Sequence, residues 1–494
     1  MYLLGIDIGS SSVKASIIQI ENGALIASSS APKTEMKILA PKPGWAEQHP
    51  DLWWENLKIC ISDIKSKSGC KAEDIQAIGI AYQMHGLVCV DINLEVLRPS
   101  IIWCDSRAVA IGEKALSEMG EKKTLSTLLN SPGNFTASKL KWVQENEPKI
   151  YDKIYKIMLP GDYIALKLSG EIQTTVSGLS EGIFWDFEDN EISKKLLKQY
   201  KINSDLIPNI TDTFSKQAFV SKSAAKELGL KENTPITYRA GDQPNNAFSL
   251  NVLKAGEIAA TAGTSGVVYG VHSKATYDKK SRVNTFVHVN HQPKKPSYGV
   301  LLCINGTGIQ NSWLRNSMLN GTMDYEQMNK LASKIPAGAD GLRVFPFGNG
   351  AERVLENKDF GGMISGIQFN RHSNAHILRA AQEGIAFGLN YGVEVMKDMG
   401  MEISVIRAGE ANMFLSPIFR EVFCNTTGAV VELYNTDGAQ GAARGAGIGA
   451  GIYKDAKEAF KTLKKVKTIE PDKQLKRQYK DLYHQWADDL KKMK

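Results

Sequence analysis

The sequence predicts an α/β protein built from two similar domains. Three observations carry this. At 494 residues the chain is longer than one hydrophobic core organises. Apolar, β-rich runs alternate with helical stretches along it. The layout of residues 4–18, apolar strand then Gly/hydroxyl turn then apolar strand, returns at residues 259–269. A layout repeated near half the chain length reads as an internal duplication.

The elements follow in order. Tyr2-Leu-Leu-Gly-Ile-Asp-Ile-Gly-Ser-Ser-Ser-Val-Lys-Ala-Ser-Ile-Ile18 reads as a hairpin. Pro41-Lys-Pro-Gly-Trp-Ala-Glu-Gln-His-Pro-Asp-Leu-Trp-Trp54 is a loop dense in Trp, with Asp51 as the expected N-cap of a helix to about Lys65. Residues 75–81 form a buried strand that runs into Tyr82-Gln-Met-His-Gly86, and residues 87–92 and 99–107 read as two more strands. A mainly helical region spans 108–168, and a Ser/Thr/Gly loop spans 174–181. The β-prone run 234–238 leads into Gly241-Asp-Gln-Pro244, read as a strand end and turn. In the second half, 298–308 is a strand opening into a helix, 341–353 a strand and loop, 373–399 a long amphipathic helix, 404–412 a strand with a small-residue turn, and 437–451 a small-residue helix. The last helix, 472–493, is Lys-rich.

Composition excludes several classes. A net charge of +7 is small for this length, and the Lys-rich runs read as solvated helix faces, so no nucleic-acid partner is expected. The six cysteines form no C-x-x-C pair, which suits reduced thiols in a cytoplasmic protein. No stretch approaches the ~20 apolar residues of a membrane span. There is no G-x-x-x-x-G-K-[ST] and no dinucleotide-binding G-x-G-x-x-G with its acidic partner, which sets aside P-loop enzymes and dehydrogenases.

The chemistry concentrates at strand ends. Asp7 lies near the end of the first strand, where a carboxylate needs a partner such as a cation. Ser10, Ser11, Ser12 and Lys14 offer hydroxyls, N–H groups and charge to a phosphate. Asp242 stands at a strand end, and Gly263-Thr-Ser-Gly266 repeats the Gly/hydroxyl turn. A base for a hydroxyl together with N–H groups for phosphate is what phosphoryl transfer requires. Each piece also has a plainer reading, as an Asx turn, a chain reversal or helix packing.

Taken together, these residues resemble the FGGY carbohydrate kinases. The resemblance rests on Asp7-Ile-Gly-Ser with Lys14, Gly241-Asp-Gln243 and Gly263-Thr-Ser-Gly266, in that order over nearly the whole chain. It implies two duplicated ribonuclease-H-like domains of the actin and sugar-kinase type around a central cleft. The expected division is 1–247 for the sugar and the catalytic base, 248–468 for the nucleotide, and a C-terminal helix in 469–494 packed back on the first domain. Within the family, Gly44-Trp-Ala-Glu-Gln-His-Pro50, Gln83-Met-His-Gly86 and Ile102-Trp-Cys-Asp-Ser-Arg107 are similar to the members that phosphorylate D-xylulose.

The implied roles are these. Asp242 is the general base, and Asp7 and Asp242 hold Mg²⁺. Gln83, Met84, His85, Trp103, Asp105 and Gln243 border the sugar. Ser10 to Ser12, Lys14, Gly263, Thr264, Ser265 and Gly306 serve the phosphates of ATP, and Gly409, Glu410 and Asn412 lie against the adenosine. The implied partner is a small-molecule sugar, with no membrane, and a homodimer is compatible with the sequence. Departures from the family are Glu410 in the adenosine turn, Pro244 after Asp-Gln, and Cys104 and Ser106 beside Trp103. They leave open another acceptor such as gluconate; a non-enzymatic sugar or nucleotide sensor is the reading from another class.

Overall fold

The computed structural model describes residues 1–493, and the chain separates into two compact units. Residues 1–251, 286–296 and 436–463 make the first, and the rest makes the second.

The sheet of the first unit has six strands: β1 (Tyr2–Ile8), β2 (Val13–Gln19), β3 (Leu25–Ala31), β4 (Ile75–Tyr82), β5 (Phe214–Phe219) and β6 (Pro235–Gly241), in the order β5-β6-β4-β1-β2-β3. The predicted hairpin is β1 and β2, antiparallel, with Asp7 opposite Lys14. β4 lies parallel between β1 and β6, so their carboxyl ends emerge side by side. The strands are apolar on both faces because both are covered. Helices Pro50–Ser68 and Pro160–Ser169 supply Trp53, Trp54, Leu57, Ile61 and Ile164 to one side of the core. The N-cap of the first of these is His49, with Pro50 in the first turn, so the cap lies two residues before the expected Asp51.

The small-residue helix Gly438–Gly449 covers the other face. A Cβ on Gly5 would overlap the Ala439 carbonyl oxygen, and one on Gly79 the Ala442 carbonyl oxygen. The run of Gly and Ala is therefore used for close helix-to-sheet approach. It also explains why residues 436–463 join the first unit and not the 248–468 block: their apolar face completes this sheet.

The second unit repeats the plan with β7 (Glu257–Ala262), β8 (Gly266–His272), β9 (Tyr298–Ile304), β10 (Val405–Gly409), β11 (Val430–Tyr434) and β12 (Lys465–Ile469), in the order β9-β8-β7-β10-β11-β12. Helix Asn374–Asp398 is buried along most of its length, and helix Pro417–Thr427 packs on it. The C-terminal helix Lys473–Met493 buries Tyr479, Tyr483 and Trp486 in this second core. It does not pack on the first domain as the sequence suggested. Its aromatic stripe matches Phe345, stacked on Trp486 at 5.1 Å, and Phe387.

Candidate active site

The parallel register of β1, β4 and β6 brings the three sequence motifs together. Asp7 is level with Ala81, and both Ile8 and Gly241 are level with Tyr82. The ends of Asp7-Ile-Gly, Tyr82-Gln-Met-His and Gly241-Asp242 thus share one edge of the sheet, where open α/β sheets hold ligands. Asp242 is not in a loop. It opens the helix Asp242–Ser249, with Gly241 as N-cap. Pro244 sits in the first turn, where a missing N–H costs nothing.

Burial sets the electrostatics of this edge. It pushes the Asp242 carboxyl up to about 7, and Asp7 adds to the push, against hydrogen bonds from Gln243. Burial likewise raises Asp7 to about 6; Lys14 opposes this and Asp437 reinforces it. Two coupled carboxyls near neutrality suit proton acceptance from a hydroxyl. Asp7 Oδ2 lies against Gly438, whose carbonyl accepts from Asn245 Nδ2 at 2.9 Å. Two hard carboxylate donors fit Mg²⁺ held largely by phosphate and water; among the described residues no cluster of three or more His, Cys, Asp or Glu side chains could hold an ion alone.

Of the expected sugar-facing residues, Gln243 follows Asp242 directly in its helix. Met84 contacts the space beside Gly241: a Cβ there would be 2.7 Å from Met84 Cγ. His85 has a positive φ of 62° and its Nδ1 is 2.8 Å from the Glu181 carbonyl oxygen. Its ring packs edge-on against Phe135 at 4.8 Å. Gln83 donates to Gln48 at 3.4 Å, and Gln48 in turn donates to the Ser10 carbonyl at 2.6 Å. Trp103, half-exposed, donates from Nε1 to Ser10 Oγ at 3.2 Å. The sugar-side residues are therefore wired to the serine turn. Several buried polar atoms here lack a completed hydrogen bond: Tyr82 Oη and both Glu181 carboxyl oxygens, which face one another, with Gln83 Oε1, Gln243 Oε1 and Asn245 Oδ1.

Asp105 differs from expectation. It is fully buried; Oδ2 accepts from Ala46 N at 2.6 Å and pairs with Arg107 at 2.7 Å. Arg107 also lies over Trp45, 3.7 Å from its centroid, and pairs with Glu47 at 2.7 Å. Asp105 thus braces the loop that carries Trp103 and has no oxygen to spare for a sugar.

Two residues escaped the sequence reading. Lys139 is fully buried and donates to the His85 and Ile102 carbonyls at 2.8 and 2.9 Å, tying the two sugar-side loops together; burial lowers its pKa to about 7. Glu181 ends the helix Val176–Glu181, which looked like a polar loop. A Lys in an amphipathic helix and a Glu after Ser carry no sequence mark of burial.

In the second unit Gly263, Thr264 and Asn412 lie together. The 263–266 turn joins β7 to β8, and the Gly263 and Thr264 carbonyls accept from Gly308 and Ile309 N–H at 2.8 and 3.1 Å. Asn412, with φ 54°, brings its side-chain amide next to Gly263. Gly306 cannot carry a side chain, since a Cβ would overlap the Pro346 carbonyl. Glu410 is solvent-exposed while its N–H donates to the Tyr434 carbonyl at 2.9 Å, so the turn survives the unusual carboxylate.

This geometry has known counterparts. The family model for the N-terminal domain of the FGGY family of carbohydrate kinases matches residues 2–249, and that for the C-terminal domain matches residues 258–452. The chain belongs to the FGGY family of carbohydrate kinases. Among FGGY proteins it is 28% identical over 487 residues to xylulose kinase of Bacillus subtilis, covering 98% of this chain and 95% of that protein. Its fold matches the xylulose kinase of Rhodospirillum rubrum with a TM-score of 0.87 at 24% identity, covering 99% and 98% of the two chains. Gluconate kinase from Lactobacillus acidophilus gives the same TM-score, 0.87, at 21% identity, covering 99% and 97%. The two-domain α/β architecture is thus that of the FGGY kinases. Among the described residues no helix is long and apolar enough to cross a membrane.

Proposed function

We propose that this FGGY kinase transfers the γ-phosphoryl group of ATP to a ketopentose, D-xylulose, giving D-xylulose 5-phosphate. The observation that carries the reading is the set of buried polar atoms without a completed hydrogen bond around a carboxyl poised near neutrality. Such atoms are costly unless a polyhydroxy ligand completes them. The Gln83-Met-His-Gly86 turn and the names of the curated relatives favour a ketopentose as that ligand.

In this reading the sugar lies along Gln83, Met84, His85, Trp103 and Gln243. Asp242 takes the proton from the terminal hydroxyl as its oxygen attacks the γ-phosphorus in line. Ser10 to Ser12, Lys14 and the 263–265 turn offer N–H groups and charge to the phosphate oxygens, and Gly306, Gly409 and Asn412 border the nucleotide. Asp7 and Asp242 would hold Mg²⁺, which neutralises phosphate charge when bound. The helix N-terminus at Asp242 adds a favourable field for the ionised base.

ADP release measured across ketopentoses, glycerol and gluconate tests the assignment. D-xylulose is expected to give the highest kcat/KM. Gluconate is the competing acceptor because a gluconate kinase shares the fold equally well; a preference for it overturns the reading.

A further inference from the structure

Glu181 is buried to 1% exposure, and neither carboxyl oxygen makes a hydrogen bond of good geometry. The Tyr82 hydroxyl faces it and is likewise without a completed hydrogen bond. Its position is defined by Gly241. A Cβ built on that glycine would stand 2.6 Å from Glu181 Oε2 and 2.7 Å from Met84 Cγ. The carboxyl therefore occupies the side-chain space of the residue just before Asp242, beside Met84. The main chain of Glu181 also meets the His85 ring.

The surroundings are crowded with carboxyls. Asp242 and Asp162 both act on Glu181; Asp162 is paired with Arg239 at 3.0 Å, and Lys139 has its ammonium committed to two carbonyls. A substrate carboxylate here would add negative charge to a dry, acidic pocket. A hydroxyl would not, since it can both donate and accept.

We infer that Glu181 is a specificity-determining residue, whose carboxyl group exchanges a hydrogen bond with a hydroxyl of a neutral sugar and turns away sugar acids. This rests on the sugar-kinase reading of the site given above.

The test uses the full-length protein with Glu181→Ala and Glu181→Gln, each checked by thermal unfolding. Sugar KM, ATP KM and kcat are measured on the best neutral sugar of the wild type and on gluconate. For Glu181→Ala the neutral-sugar KM should rise about tenfold or more, while ATP KM stays within about twofold. The gluconate-to-neutral ratio of kcat/KM should also rise about tenfold in Glu181→Ala, and Glu181→Gln should keep most of the neutral-sugar KM while losing the discrimination. A folded Glu181→Ala with unchanged sugar KM and unchanged ratio overturns the inference alone. A wild type that prefers another neutral sugar overturns D-xylulose alone, and the Glu181 ratio is then read with that sugar. A wild type that prefers gluconate overturns both.

Discussion

Asp242 illustrates how a single carboxyl acquires a role from its neighbours. Its raised pKa means that ionisation, and with it proton acceptance, is lost as pH falls through about 7. The kcat/KM profile for the sugar should therefore climb with pH to a plateau, with an apparent pKa that belongs to the Asp7–Asp242 pair jointly and falls below about 7 once Mg²⁺ is bound. Stability carries the opposite sign. A carboxyl whose folded pKa exceeds its ordinary value of 3.8 binds protons more tightly when folded, so this pair's contribution is full below about 4 and falls away as pH rises towards 7. Urea titrations without metal should show that decline, and added Mg²⁺ should shrink it at pH 7. Asp242→Asn should lower kcat by ~10²-fold or more with sugar KM little changed, as read in steady-state kinetics.

At the scale of elements, close approach between the small-residue helix and the sheet is the organising contact of the first unit. Gly79→Ala would drive a methyl into the Ala442 carbonyl, a backbone atom that cannot turn aside. Overpacking of this kind costs about 1–3 kcal/mol, which denaturant unfolding would detect. Lys139→Met keeps the length of the side chain but releases the His85 and Ile102 carbonyls; sugar KM should rise while ATP KM holds. These elements also mark what was legible in advance. The hairpins, the strand before Asp242 and the long helix at 374–398 follow from apolar period and caps, which are local. The helix at Asp242–Ser249 was not legible, because Gly-Asp-Gln-Pro reads as a turn until one sees that a proline in a first helical turn is tolerated. The bracing role of Asp105 and the burial of Lys139 and Glu181 depend on partners far along the chain, so no window of sequence contains them.

At the scale of the whole molecule, the two duplicated units close their cores differently. The second uses the C-terminal helix: Trp486 stacks on Phe345 and donates to the Val344 carbonyl at 3.0 Å. Trp486→Ala should cost about 3–5 kcal/mol in the second unit, seen as an early transition in thermal unfolding. The first unit closes its core with residues 436–463. That arrangement has a consequence during synthesis. When residue 251 leaves the ribosome, the glycine-paved face around Gly5 and Gly79 is still bare, and the helix that covers it has not been made. At about 5–20 residues per second the nascent chain waits roughly ten to forty seconds for its lid. During that interval the half-finished sheet is a natural client for a chaperone, and residues 1–251 expressed alone should be insoluble unless a peptide spanning 436–463 is supplied in trans.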